Sequence, residues 1–167
     1  MVGPPRPLRK DDAPGVAKIF NDYVAHSFAA YPEHVLSLEE IKEWLAPGVC
    51  LSALGVDGPT KELIGFALLR RYSPYSSFSQ TALVTYFVAP DYTRQGIGTS
   101  LLRALESEAL QHGVRILLAH VSSRNSFSLA FHRTHGFAEC GTFRGIGTKL
   151  GKPFDVVWFE KALTASA

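Results

Sequence analysis

Apolar residues first recur with helical spacing at Val16, Ile19, Phe20, Tyr23 and Val24. That pattern predicts a helix over 12–26, with its start marked by Asp11-Asp12 ahead of Ala13-Pro14. Ser37-Leu-Glu-Glu40 reads as a capping box for a short helix to about 45, stopped by Pro47-Gly48. The period then changes. Segments 50–56 and 63–72 flank the polar turn 57–60 and predict a hairpin, and 82–88 is a further strand ended by Pro90. Ile97, Leu101, Leu105 and Ala109 repeat every four residues and predict an amphipathic helix over 97–112, closed by Gly113. Segment 114–121 reads as a buried strand. Residues 122–125 offer caps to a helix carrying Phe127, Ala130, Phe131 and Thr134 on one face, ended by Gly136. Segments 137–143 and 154–161 read as two last strands joined by a glycine-rich turn at Gly145, Gly147 and Gly151. The order is strand, two helices, three strands, helix, strand, helix, two strands. That is an α/β (α+β) domain with a mixed sheet.

Length and composition narrow this further. The 167 residues make a single domain, 1–167, and 46% hydrophobic with 19% charged residues is globular composition. The formal charge of +2 and a pI near 8.6 fall short of a nucleic-acid footprint, so no nucleic-acid partner is expected. The two cysteines, Cys50 and Cys140, have no CxxC partner, and no metal is expected. The first twelve residues lack the apolar core of a secretory signal, and the longest apolar runs are too short to cross a bilayer. A cytoplasmic protein with no membrane contact is the expectation. Disorder is expected only in the proline-rich first few residues and in 164–167.

The most informative segment is 88–99, Val-Ala-Pro-Asp-Tyr-Thr-Arg-Gln-Gly-Ile-Gly-Thr. A strand ends, a turn with Gly96 and Gly98 follows, and a helix opens. Glycine lets backbone approach a ligand, and the first helical turn offers unpaired N–H groups and a positive dipole end, which suit a phosphate. Arg94 adds a charge-assisted donor. The plain alternative is a tight turn that only lets helix and strand pack. The segment lacks the Gly-Lys-Ser/Thr of a P-loop and the third glycine of a dinucleotide fingerprint.

Residues 84–102 resemble motif A of the GNAT superfamily of acyl-CoA N-acyltransferases, through Val88-Ala-Pro90 and Gly96-Ile-Gly98. Thr93 stands where the family carries Gln or Arg. Asn125, Ser128, His132, Gly136 and Phe137 are similar to the N-x-x-S-I-x-L-H-x-x-x-G-F run of the phosphinothricin and methionine sulfoximine acetyltransferase branch. Ile19-Phe-Asn-Asp-Tyr-Val24, Gly141-Thr-Phe-Arg144 and Lys149-Leu-Gly-Lys-Pro-Phe-Asp155 resemble three more of its motifs. The resemblance covers nearly the whole chain.

It implies the GNAT fold: a mixed central sheet of about six to seven strands, about four flanking helices, and two central strands that splay. Acetyl-CoA as co-substrate and a small-molecule amine as acceptor follow, an amino acid or analogue foremost. So does a homodimer. The implied cofactor-binding residues are Tyr86, Phe87, Val88, Arg94, Gln95, Gly96, Ile97, Gly98, Thr99 and Asn125. N–H groups around Phe87 and Val88 would polarise the thioester carbonyl. Asn125 also suits a helix cap, and Tyr86 and Phe87 also suit core packing. His132 occupies the slot of the family's tyrosine, which protonates the departing thiolate, so it is the implied catalytic residue; packing is its other role. Leu83 replaces the branch's glutamate, and Ser77-Phe-Ser-Gln80 lacks its substrate arginine. His120, Glu33, His34, Tyr31 and Tyr75 remain as candidate bases. A second reading, prompted by Leu83, is an acyl-CoA-binding module without catalysis.

Overall fold

The structure, a computed structural model, describes residues 2–164. The predicted tail beyond Thr164 lies outside the described residues. Chain order is β1 (Arg6–Pro7), α1 (Ala13–His26), α2 (Leu38–Trp44), β2 (Ser52–Asp57), β3 (Leu63–Arg71), β4 (Thr81–Val88), α3 (Ile97–Gln111), β5 (Ile116–Ser122), α4 (Ser126–Thr134), β6 (Ala138–Lys149) and β7 (Lys152–Ala162). This is the mixed α/β order read from the sequence. The strands form one sheet, β1-β2-β3-β4-β5-β7-β6. Among the described residues only β4 and β5 are parallel neighbours.

Each face of the sheet buries its own apolar cluster. On one side α3 lays Ile97, Leu101, Leu102, Leu105 and Ala109 against Leu54, Val56, Ile64, Ala67, Leu69, Leu117 and Ala119. On the other, α1 and α2 bring Val16, Ile19, Phe20, Val24 and Ile41 onto Phe66 and Leu68. The capping box holds: the Ser37 hydroxyl accepts from the Glu40 N–H while the Glu40 carboxylate accepts from the Ser37 N–H.

Three expectations are corrected. The proline-rich start is tied to the sheet: Arg6 pairs with both Asp57 and Asp12, and Gly3 N–H donates to the Asp57 carbonyl. The last two strands run on to a tight turn at Leu150-Gly151, and Gly145 and Gly147 sit at a register shift inside β6 instead of in a loop. In α4 the face carrying Phe127, Ala130 and Thr134 is exposed, and the buried residue is His132. A histidine with both ring nitrogens hydrogen-bonded is buried more cheaply than its polarity suggests.

The feature that positions the site is the seam between β4 and β5. They pair at Thr81↔Ile116, Ala82↔Leu117 and Leu83↔Leu118, and then part. Both cysteines are free thiols, and among the described residues no helix is long and apolar enough to cross a membrane.

Candidate active site

A cavity of about 610 Å³ opens where β4 and β5 separate. Its walls come from α1 and the loop behind it, from residues 84–88 of β4, from 119–122 of β5, and from α4. Backbone groups along a strand alternate in direction. Ala89 N–H donates to the Ile64 carbonyl of β3, so the N–H groups of Tyr86 and Val88 aim the other way, into the split. Phe87 therefore turns its N–H to β3. Its ring packs against Phe20, Tyr23 and Phe66. Of the two amides expected around Phe87 and Val88, only that of Val88 faces the opening, and Tyr86 supplies a second.

At one end lies the turn into α3. Arg94 and Gly96 both take left-handed backbone, φ +61° and +81°. Positive φ on either side of Gln95 curls successive N–H groups into a concave nest. The first helical bond is Ser100 N–H to Gly96 C=O, so the N–H groups of Ile97, Gly98 and Thr99 have no helical acceptor. A second cavity of about 280 Å³ lies over this nest and shares Val88, Thr93, Arg94, Gly98, Phe127 and Phe131 with the first. Side chains here mostly look elsewhere. Ile97 is buried in the core, Gln95 donates to the Asp91 carbonyl, and the Thr99 hydroxyl donates to His135 Nε2. Arg94 reaches over the Phe127 ring. A Cβ on Gly98 would stand 3.4 Å from Phe131, so that glycine lets α4 pack closely. Asn125 caps α4 by accepting from Ser128 N–H and lines the large cavity. The donor set fits a diphosphate at the nest and an amide-bearing chain along the split.

In the middle, Tyr86 and His132 meet. His132 Nδ1 lies 2.7 Å from the Ser128 carbonyl and must carry the proton, so Nε2 accepts from the Tyr86 hydroxyl. The imidazole is 3% exposed, stacked on Phe159 and edged by Phe137. Burial pulls its pKa down to about 4, with His135 adding to the shift and the Ser128 carbonyl opposing it. Burial raises the Tyr86 phenol, with Glu106 adding to it. Both groups are neutral at pH 7.

The same burial sets a stability expectation. The unfolded ring titrates near 6.5 and the folded one near 4, so the unfolded state binds more protons between those values. Stability is complete above pH 6.5 and falls as pH drops toward 4, by about 3 kcal/mol from this group. His120, also lowered, acts in the same sense. Urea unfolding from pH 4 to 8 should show that loss, and His132→Phe should reduce it.

The far end of the cavity is roofed by loop 27–34. Asn21 on α1 holds the loop's exit through the backbone N–H and carbonyl of Leu36. Lys149, fully buried, donates to the Ala30 carbonyl. The Tyr31 hydroxyl meets His120 Nδ1 at 3.1 Å, and its ring stacks on Phe154. Tyr23 donates to the Val88 carbonyl at 2.7 Å. Of the candidate bases only His120 and Tyr31 line the cavity. Glu33, His34 and Tyr75 are exposed. The sequence reading missed Arg70, which lines the same end. Period-2 alternation carried the signal, since Arg70 follows the buried Phe66 and Leu68 on their face of β3.

Comparison with known proteins agrees with this geometry. A model described as "Acetyltransferase (GNAT) family" matches residues 16–137. The chain is 30% identical to a phosphinothricin N-acetyltransferase of Alcaligenes faecalis over 165 residues, covering 96% of this chain and 82% of that protein. A solved structure titled ribosomal-protein-alanine N-acetyltransferase from Brucella melitensis superposes with a TM-score of 0.86 at 30% identity, covering 95% and 99% of the two chains. A GNAT superfamily phosphinothricin acetyltransferase from Sinorhizobium meliloti, solved in complex with AcCoA, shares the fold with a TM-score of 0.88 at 22% identity, over 98% of this chain and 89% of its own. With most of the chain matched and the strands parted beside a nest of backbone N–H groups, the protein belongs to the acetyltransferase (GNAT) family and is an acyltransferase using acetyl-CoA.

Proposed function

We propose that the protein moves the acetyl group of acetyl-CoA onto the amino group of a small acceptor, an amino acid or an analogue of the phosphinothricin type. The observation that carries this reading is the cavity through the β4/β5 split, with a phosphate nest at one end and a roofed aromatic pocket at the other. The N–H groups of residues 94–99 would hold the diphosphate, with Arg94 beside them. Asn125 and the Tyr86 and Val88 amides would hold the chain that follows. Acetyl-CoA supplies an acetyl carbonyl activated by a thiol leaving group. In the transfer an N–C bond forms, a C–S bond breaks, and the amine's proton ends on sulfur. The Tyr86 hydroxyl, resting on His132 Nε2, would turn its proton to the departing sulfur and take one back from nitrogen, after which Nε2 accepts and orients it again.

Leu83 leaves no carboxylate to deprotonate the acceptor. The rate with a simple amino acid should then track its neutral fraction, rising about tenfold per pH unit up to the amine's own pKa. A kcat/KM profile from pH 6 to 10 checks this. A plateau beginning below pH 7 would instead assign the base to His120, whose pKa burial and the Arg70 charge hold low. Homodimerisation and a cytoplasmic setting belong to the same reading. Exposed Phe143, Ile146 and Leu150 on the β6 edge and its turn give a dimer apolar surface to cover.

A further inference from the structure

We infer that Arg70, on β3, is the residue that binds the acceptor's carboxylate and makes the site choose a free amino acid over an amide or a peptide N-terminus. This rests on the acetyl-transfer reading above and assigns a specificity-determining residue to that same site.

Arg70 lies in register with Leu83, two residues from the pair Leu68↔Thr85, on the face that carries α1 and α2. Its Nη2 donates to the Thr85 hydroxyl at 2.9 Å. Its Nε is buried with no partner, the single such side-chain atom among the described residues. A charged donor left unsatisfied in a protein wall is costly, and a turn of the guanidinium that brings Nε to the cavity would let an anion there remove that cost. Among the described residues Arg70 makes no ion pair, and the position opposite it is leucine.

The rest of the cavity agrees. Among the described residues its lining includes Arg70, Arg94 and Arg124 but no aspartate or glutamate. Arg94 stands at the nest. Arg124 precedes Asn125, with its Nε on the Pro153 carbonyl and its guanidinium over Phe28. Of the three lining arginines, Arg70 is thus the one at the acceptor end, near His120 and the loop that carries Tyr31; Lys149 at that end is buried behind the wall on the Ala30 carbonyl. Thr85 and Tyr86 are neighbours on β4 with side chains on opposite faces of the sheet. The Arg70–Thr85 pair therefore stands on the α1/α2 side of the split and the Tyr86 hydroxyl on the other. An acceptor spanning the split would set its carboxylate on the first and its amine toward the second. A planar guanidinium with an unused N–H matches a carboxylate's two oxygens.

The two relatives at 30% identity are named for different amines, phosphinothricin and the alanine of a ribosomal protein. A peptide N-terminus has an amide where a free amino acid has its carboxylate. Arg70 therefore selects the free acid.

The test compares kcat/KM for L-amino acids, their amides and dipeptides with the same first residue, at equal concentrations of neutral amine. The free acid should win by roughly 10- to 100-fold in the wild type. Arg70→Met should remove that preference, mainly through KM, while melting temperature and acetyl-CoA affinity hold. Leu83→Glu sets a carboxylate in register with Arg70 and should also reduce it. A wild type that prefers amides or dipeptides, or a folded Arg70→Met that keeps the preference, overturns the inference. Absence of transfer to every acceptor, with acetyl-CoA still bound, would defeat the acetyl-transfer reading instead. The subsite is then read by tryptophan fluorescence, Trp44 lining the cavity. N-acetyl-amino acids should bind the wild type and not Arg70→Met, and their amides neither; equal binding of acid and amide overturns the inference.

Discussion

Tyr86→Phe should lower kcat by roughly 10²- to 10⁴-fold and leave acetyl-CoA affinity within about twofold. The substitution removes one oxygen atom and keeps the ring that packs on Phe131 and His132. A group that moves protons mainly in the transition state shows its loss in kcat. His132 works through that hydroxyl, so His132→Phe should cost less, and His132→Gln, which keeps an acceptor, should recover part of the loss. The double variant should be no slower than Tyr86→Phe alone, because residues acting as one unit do not add. Single-turnover thiol release checks all four proteins. A His132→Phe enzyme with near wild-type kcat would leave the histidine as packing between Phe137 and Phe159.

Gly96→Val should weaken acetyl-CoA binding by roughly 10²-fold or more. Two effects combine. At φ +81° a β-branched residue strains the backbone by about 1–2 kcal/mol. Its side chain also projects over the nest, where charge-assisted hydrogen bonds worth about 1.5–3 kcal/mol are at stake. Among the described residues no atom lies within 4 Å of a Cβ built there, so the folded chain has room for the new atoms and the ligand does not. Calorimetry on a variant with a normal melting curve decides. Unchanged affinity would make the glycine turn a device for packing α3 alone.

Much of this was legible in the sequence because local and global signals agree. Ile97, Leu101, Leu105 and Ala109 predict a helix and bury the face they predict. Ser37 and Glu40 cap the helix their spacing marks. The turn at Gly96 combines a strand end, a positive φ and a helix start, and each leaves a mark on residue choice. Other features depend on partners distant in sequence. His132 appears polar until Ser128 and Tyr86 satisfy both nitrogens, so the apolar pattern of α4 pointed to the wrong face. Gly145 and Gly147 read as a loop because a bulged edge strand uses the same residues as a turn. Arg70 follows a buried run and alternates with it, yet only the opposing Leu83 and Thr85 reveal an unmatched charge.

The parting of β4 and β5 has a thermodynamic side. Among the described residues seven strands form one sheet, but only three residue pairs join its leaf β1–β4 to its leaf β5–β7 by strand pairing. The two leaves meet along a short hinge, braced by α3 and the shared apolar core. Under the proposed reading, a bound pantetheine chain would occupy the place of the missing ladder and stitch the leaves together. At a hundredfold excess over its Kd, acetyl-CoA would add about 2.7 kcal/mol to the folded state. Held in that way, the co-substrate would also be a structural member, and the enzyme's lifetime in a cell would rise and fall with the supply of the molecule it consumes.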